Sequence, residues 1–63
     1  MANFEILCKR IIDTNGNISL NDVRTAGYLD KDFDRLKSAK PEKLVKNARD
    51  NLLARGIHYK EVM

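Results

Sequence analysis

The sequence predicts an all-α fold, a compact orthogonal bundle of four short helices with a short C-terminal tail. Three observations predict it. Apolar residues recur at three- and four-residue spacing in successive segments. Residues suited to helix starts precede those segments. Gly16, Gly27, Pro41 and Gly56 separate them. Together these place helices at roughly 4–14, 20–26, 31–39 and 42–55 of one domain spanning 1–63.

Each element has its own local reasons. Asn3 is a candidate N-cap, because its side chain can accept from backbone N–H groups left unpaired at a helix start. Behind it Phe4, Leu7, Cys8, Ile11 and Ile12 share one face, and Glu5 and Lys9 stand at i,i+4 for an outward ion pair. Asn15-Gly16 ends the first helix, since Gly takes the left-handed conformation common after a C-cap. Ser19 is the expected second N-cap, with Asp22 three residues on completing a capping box. Ile18 is placed to staple against Val23, and Gly27 stops the helix. Tyr28 and Leu29 are expected to fold back on the core.

Asp30 is expected to cap the third helix, with Phe33 and Leu36 facing inward. Its acidic residues precede Arg35, Lys37 and Lys40, the order that the helix dipole favours. Pro41 suits the first turn of a fourth helix and discourages helix at Lys40. Leu44, Val45, Ala48 and Leu52 form the inner stripe of that helix. Lys43, Lys46, Asn47 and Asp50 point outward, with Glu42 and Lys46 spaced for an i,i+4 pair. Gly56 closes it, and Ile57 covers its last turn. The expected core is Leu7, Ile11, Val23, Phe33, Leu36, Leu44, Ala48 and Leu52. Ile6 and Leu53 project away from their stripes, and Ile6, Tyr59 and Val62 are candidates for a docking patch. The tail from 57 to 63 is compatible with extended chain, a helical turn or fraying.

Composition narrows the function. The chain has 63 residues, two Phe, two Tyr and no Trp. A core so small and aliphatic leaves little room for a shaped catalytic cavity. One cysteine excludes an internal disulfide, and one cysteine with one histidine cannot make a structural zinc site. A small unstapled domain is expected in the reducing cytoplasm. No apolar run approaches the ~20 residues of a membrane span, and no secretory signal is visible. The chain starts at Met1 without a tag and is expected to be complete. Its net charge of +3 is unevenly placed. Residues 1–34 carry four basic and six acidic side chains, and residues 35–63 carry eight basic and three acidic.

Counted from Ser19, Val23 falls at the fifth position, Gly27 at the ninth, and Tyr28, Phe33 and Leu36 at the tenth, fifteenth and eighteenth. Residues 15–37 in this register resemble the helix-turn-helix of phage repressor-type and winged DNA-binding regulators. Asn15 to Val23 is similar to the entry of the motif in winged-helix proteins, and Leu52 to Ile57 to the end of their third helix. The resemblance implies a helix-turn-helix-like core and nucleic-acid binding. Two departures stand out: Asp22 occupies a position that is usually apolar, and Val23 replaces the commoner Ala. The turn that would meet bases offers Asp30, Lys31, Asp32 and Asp34, whereas such turns ordinarily present Arg, Lys, Asn, Gln, Ser or Thr.

Positive charge lies further on. Lys37, Lys40, Lys43, Lys46 and Arg49 recur every third residue, drifting about −60° per step around an α-helix. Lys43, Lys46, Asn47 and Arg49 are the expected nucleic-acid contacts, with Arg35, Lys37 and Lys40 as flanking phosphate neutralisers. A solvated surface explains the same charges. Chemistry beyond binding finds no support. His58 stands without a serine or cysteine arrangement, and Cys8 sits on an apolar face as a buried thiol. Asp30, Asp32 and Asp34 lack the glycine and closing Glu of a calcium loop. No Gly-rich stretch precedes a Lys-Ser or Lys-Thr pair. The expectation is a non-enzymatic module with no cofactor, no metal, no small-molecule substrate and no membrane partner. It binds nucleic acid as a regulator. The competing expectation is a protein-interaction module, a small inhibitor or adaptor of a larger assembly. Size alone points toward phage and mobile-element genes.

Overall fold

A computed structural model describes residues 3–60 as an all-α bundle. Its helices are α1 (Phe4–Asp13), α2 (Leu20–Thr25), α3 (Asp30–Lys37) and α4 (Pro41–Ala54). Each lies within a residue or two of its expected bounds, and the described residues contain no strand.

The caps explain why the boundaries are legible. Asn3 Oδ1 accepts from the Ile6 N–H at 3.1 Å. Ser19 and Asp22 form the reciprocal capping box: the Ser19 hydroxyl accepts from the Asp22 N–H at 3.2 Å, and the Asp22 carboxylate from the Ser19 N–H at 3.0 Å. Both orphan donors of that helix start are thereby paired. Three helices then end in the same hydrogen-bond pattern, a Schellman motif. After α1, Asn15 and Gly16 donate to Ile12 and Ile11. After α2, Gly27 and Tyr28 donate to Arg24 and Val23. After α4, Gly56 and Ile57 donate to Leu53 and Leu52. In the first, Asn15 itself takes the left-handed conformation, with φ 55°, and Gly16 follows at 86°.

The start of α3 departs from expectation. Its N-cap is Leu29, and Asp30 is already the first helical residue. Leu29 has no side-chain acceptor, so Asp32 supplies the capping contact from within the helix, accepting the Leu29 N–H at 3.0 Å. Asp30 is thereby released for Arg24, which grips it with two hydrogen bonds of 2.9 and 2.8 Å.

The core is built from α1, α2, α4 and two connecting residues. Leu7, Cys8, Ile11, Ile18, Val23, Ala26, Leu44, Ala48 and Leu52 are buried together. Ile18 and Val23 meet there as a staple would require. Phe33 and Leu36, expected inside, are only half-buried, and α3 contributes no buried residue. The reason is topological: α1 packs chiefly on α4, whereas α3 packs on α2. α3 therefore meets the core through half-buried Phe33 and Leu36 and buries no residue of its own. The Cα envelope measures 33 × 25 × 15 Å. Leu29, expected to fold back, is instead 59% exposed, while Tyr28 does pack against the core.

The tail from Ile57 to Lys60 is neither helix nor strand. It is fastened to α1 by its side chains. The Tyr59 hydroxyl donates to the Asp13 carboxylate at 2.8 Å, and Lys60 Nζ stands 2.7 Å from the same group. Lys9 Nζ lies over the Tyr59 ring. These partners turn Tyr59 toward Asp13 and Lys9. Val62 lies outside the described residues, and of the expected patch only exposed Ile6 and half-buried Tyr59 are described.

Candidate functional site

Every expected nucleic-acid contact is exposed: Arg35, Lys37, Lys40, Lys43, Lys46, Asn47 and Arg49. They do not stand in equivalent surroundings, and the differences decide which of them local structure already explains.

Arg35 and Lys37 occupy the last turn of α3, where a cation is stabilised by the helix dipole. Lys37 Nζ also lies 5.6 Å from the centre of the Phe33 ring, a cation–π distance. Lys46 is not paired with Glu42 as its spacing suggested. Its ammonium turns the other way along α4, to Asp50 at 3.1 Å. Placing the Lys after its Glu partner favours an i,i+4 pair, but Glu42 sits in the first turn, where the helix dipole stabilises it without a partner. The Lys46–Asp50 pair is open to solvent, with side chains 76% and 60% exposed, so it holds Lys46 only weakly.

Lys40 and Lys43 have no such explanation. Lys40 is the N-cap of α4 and Lys43 lies in its first turn. Both stand at the positive end of the helix dipole, where a cation is disfavoured. The last turn of α4, where cations would be favoured, contains none. Lys40 is held outside the helix, with φ −69° and ψ 143°, because the proline after it disfavours helical geometry. Among the described residues, the side chains of Arg35, Lys40, Lys43 and Arg49 make no ion pair or hydrogen bond.

The acidic turn also changes character. Asp30 is neutralised by Arg24, whose guanidinium holds its carboxyl below the usual aspartate range. Asp32 is engaged at the start of α3. Asp34 remains as an exposed carboxylate without a partner among the described residues. The repulsion that this turn would exert on phosphate is therefore smaller than its three aspartates suggest.

No family model, curated protein or solved structure matches the chain.

Other chemistry is sparse. A shallow polar depression of about 290 Å³ lies between Asn15, Asn17, Pro41 and Glu42, open to solvent. Among the described residues, no three His, Cys, Asp or Glu side chains lie close enough to hold a metal ion. No described helix is long and apolar enough to cross a membrane. Cys8 is 1% exposed, and burial pushes its thiol above the usual range, the state of an unreactive packing residue.

Proposed function

We propose that this chain is a non-enzymatic binding module that contacts nucleic-acid phosphates through the exposed face of α4 and the α3–α4 corner. One observation carries the reading. Lys40 and Lys43, unpaired among the described residues, sit at the end of α4 where positive charge is disfavoured. An anion placed there would meet both ammonium groups and the helix dipole with the sign each favours. Arg35 and Arg49 extend the same unpartnered charge along the two helices.

The test is a salt titration of binding to labelled DNA by fluorescence anisotropy. With Arg35, Lys40, Lys43 and Arg49 each neutralising one phosphate, the log–log slope on duplex DNA should be about −3.6. The double substitution Lys43→Ala, Arg49→Ala should flatten it by about 1.8. Lys31→Ala, which removes an exposed cation outside the face, should leave it unchanged. Absence of binding to any nucleic acid at low salt would overturn the proposal.

A second reading has its own observation. Leu29 is exposed beside half-buried Phe33 and Leu36, on a helix with no buried residue. This outer side of α3 is what a protein-interaction module, an inhibitor or adaptor of a larger assembly, would present to its partner.

A further inference from the structure

We infer that the nucleic acid bound by this face is duplex DNA rather than single-stranded nucleic acid. The inference rests on the phosphate-binding reading above, and two observations on different parts of the molecule lead to it.

The first concerns the aromatic rings. Proteins that hold single strands combine a basic groove with exposed rings on which bases stack. Here all four rings pack against the hydrophobic core along one side. Three of them also carry a cation from the chain itself. Arg55 lies 4.9 Å from the centre of Phe4, Lys37 5.6 Å from Phe33, and Lys9 5.3 Å from Tyr59, with Lys60 at 5.6 Å from that same ring. A base stacking on any of these would have to displace an Arg or Lys. The fourth ring, Tyr28, follows α2 and lies on neither α4 nor the α3–α4 connection. The basic face has no stacking platform.

The second concerns the winding of the charges. Lys43 and Arg49 are six residues apart, which sets them about 120° around the helix and about 9 Å along it. Cations on both flanks of the exposed face of α4 suit the two phosphate rails that border a groove. A single strand offers one rail. The major groove of B-DNA is about 12 Å wide and admits an α-helix.

The experiment uses the full chain and one DNA sequence, offered as a short duplex and as its two separate strands, across a salt series. The duplex should bind at least about tenfold more tightly than either strand. From about 50 to 200 mM salt its affinity should fall about 150-fold, the consequence of a slope near −3.6. Phe33→Leu should leave the affinity for single strands unchanged within about twofold, whereas stacking on that ring would make the loss about fivefold or more. Single strands that bind as tightly as the duplex, or a Phe33→Leu variant that loses them, would overturn the duplex inference and leave phosphate binding intact. Failure of both forms to bind at low salt would overturn the phosphate reading itself.

Discussion

Replacing Gly16 with alanine tests the packing of α4 against the end of α1, and Gly56 supplies its control. Both glycines have left-handed backbones, with φ 86° and 76°. A Cβ costs an L-residue about 1–2 kcal/mol in this conformation. At Gly56 that is the whole effect, because nothing lies within 4 Å of the added carbon. At Gly16 the added carbon would overlap the carbonyl oxygen, carbonyl carbon and Cα of Pro41. These are backbone atoms at the first position of α4, and they cannot swing aside as a side-chain tip would. Forcing them apart should add about 1–3 kcal/mol, the usual range for overpacking. Gly16→Ala should therefore cost about 2–5 kcal/mol in all. A 63-residue domain has a total stability of about 3–9 kcal/mol at 0.05–0.15 kcal/mol per residue. Each kcal/mol should lower Tm by about 4–8 °C in a domain of this size. Urea and thermal melts followed by circular dichroism give both quantities. Equal losses for Gly16→Ala and Gly56→Ala would refute the close approach of α4 to the turn after α1.

Leu52→Ala and Leu44→Ala, at positions 1% and 7% exposed, should each cost about 2–5 kcal/mol and unfold much of the population, read by the same melts. Asp32→Ala should destabilise by about 0.5–2 kcal/mol through loss of its bond to the Leu29 N–H, so Asp34→Ala is the cleaner electrostatic probe and should strengthen DNA binding without moving Tm. Lys46→Ala should flatten the salt slope by less than Arg49→Ala does, because Lys46 already has Asp50 as a counter-charge. Asp13 has its carboxyl held below the usual range by hydrogen bonds from Lys60 and then Tyr59. A depressed value means that the tail contact is complete above the ordinary aspartate pKa and is lost as pH falls through the depressed one. NMR titration of Asp13 should show that low midpoint, and Lys60→Ala should move it upward; an unmoved midpoint would refute the contact.

The fold was legible where its causes are local. Asn3, Ser19 with Asp22, and Pro41 act within one turn of themselves, and they bound their helices as their chemistry predicts. The misreadings have causes that are not local. Asp30 is a good cap by type, yet Arg24, six residues earlier, draws it into an ion pair. Lys46 could reach Glu42 or Asp50 by spacing alone, and sequence does not rank the two. Phe33 and Leu36 show the right period but lie on a helix that packs chiefly on α2 rather than on the α1–α4 pair, and periodicity says which face is apolar, not what meets it. Ala26, buried in the core, carries no signal at all, since a small residue before Gly27 fits a turn equally well.

The basic series illustrates the same limit in function. As a sequence, five cations at three-residue spacing are equivalent, and each is explained equally well by solvation. Position on the helices makes them unequal. Lys37 completes α3 electrostatically and covers Phe33, and Lys46 leans on Asp50. Lys40 and Lys43 stand against the dipole of α4 and form no ion pair among the described residues. If they were only solubilising, replacing both with glutamate should raise Tm slightly, because negative charge suits a helix start and each favourable placement contributes about 0.3–1 kcal/mol. The same double substitution should abolish DNA binding at moderate salt, since it turns two phosphate contacts into two repulsions. A variant that gains stability and loses the ligand would locate the cost of binding in these two residues. One that melts higher and still binds DNA with the parent salt slope would show that the face is a solvated surface.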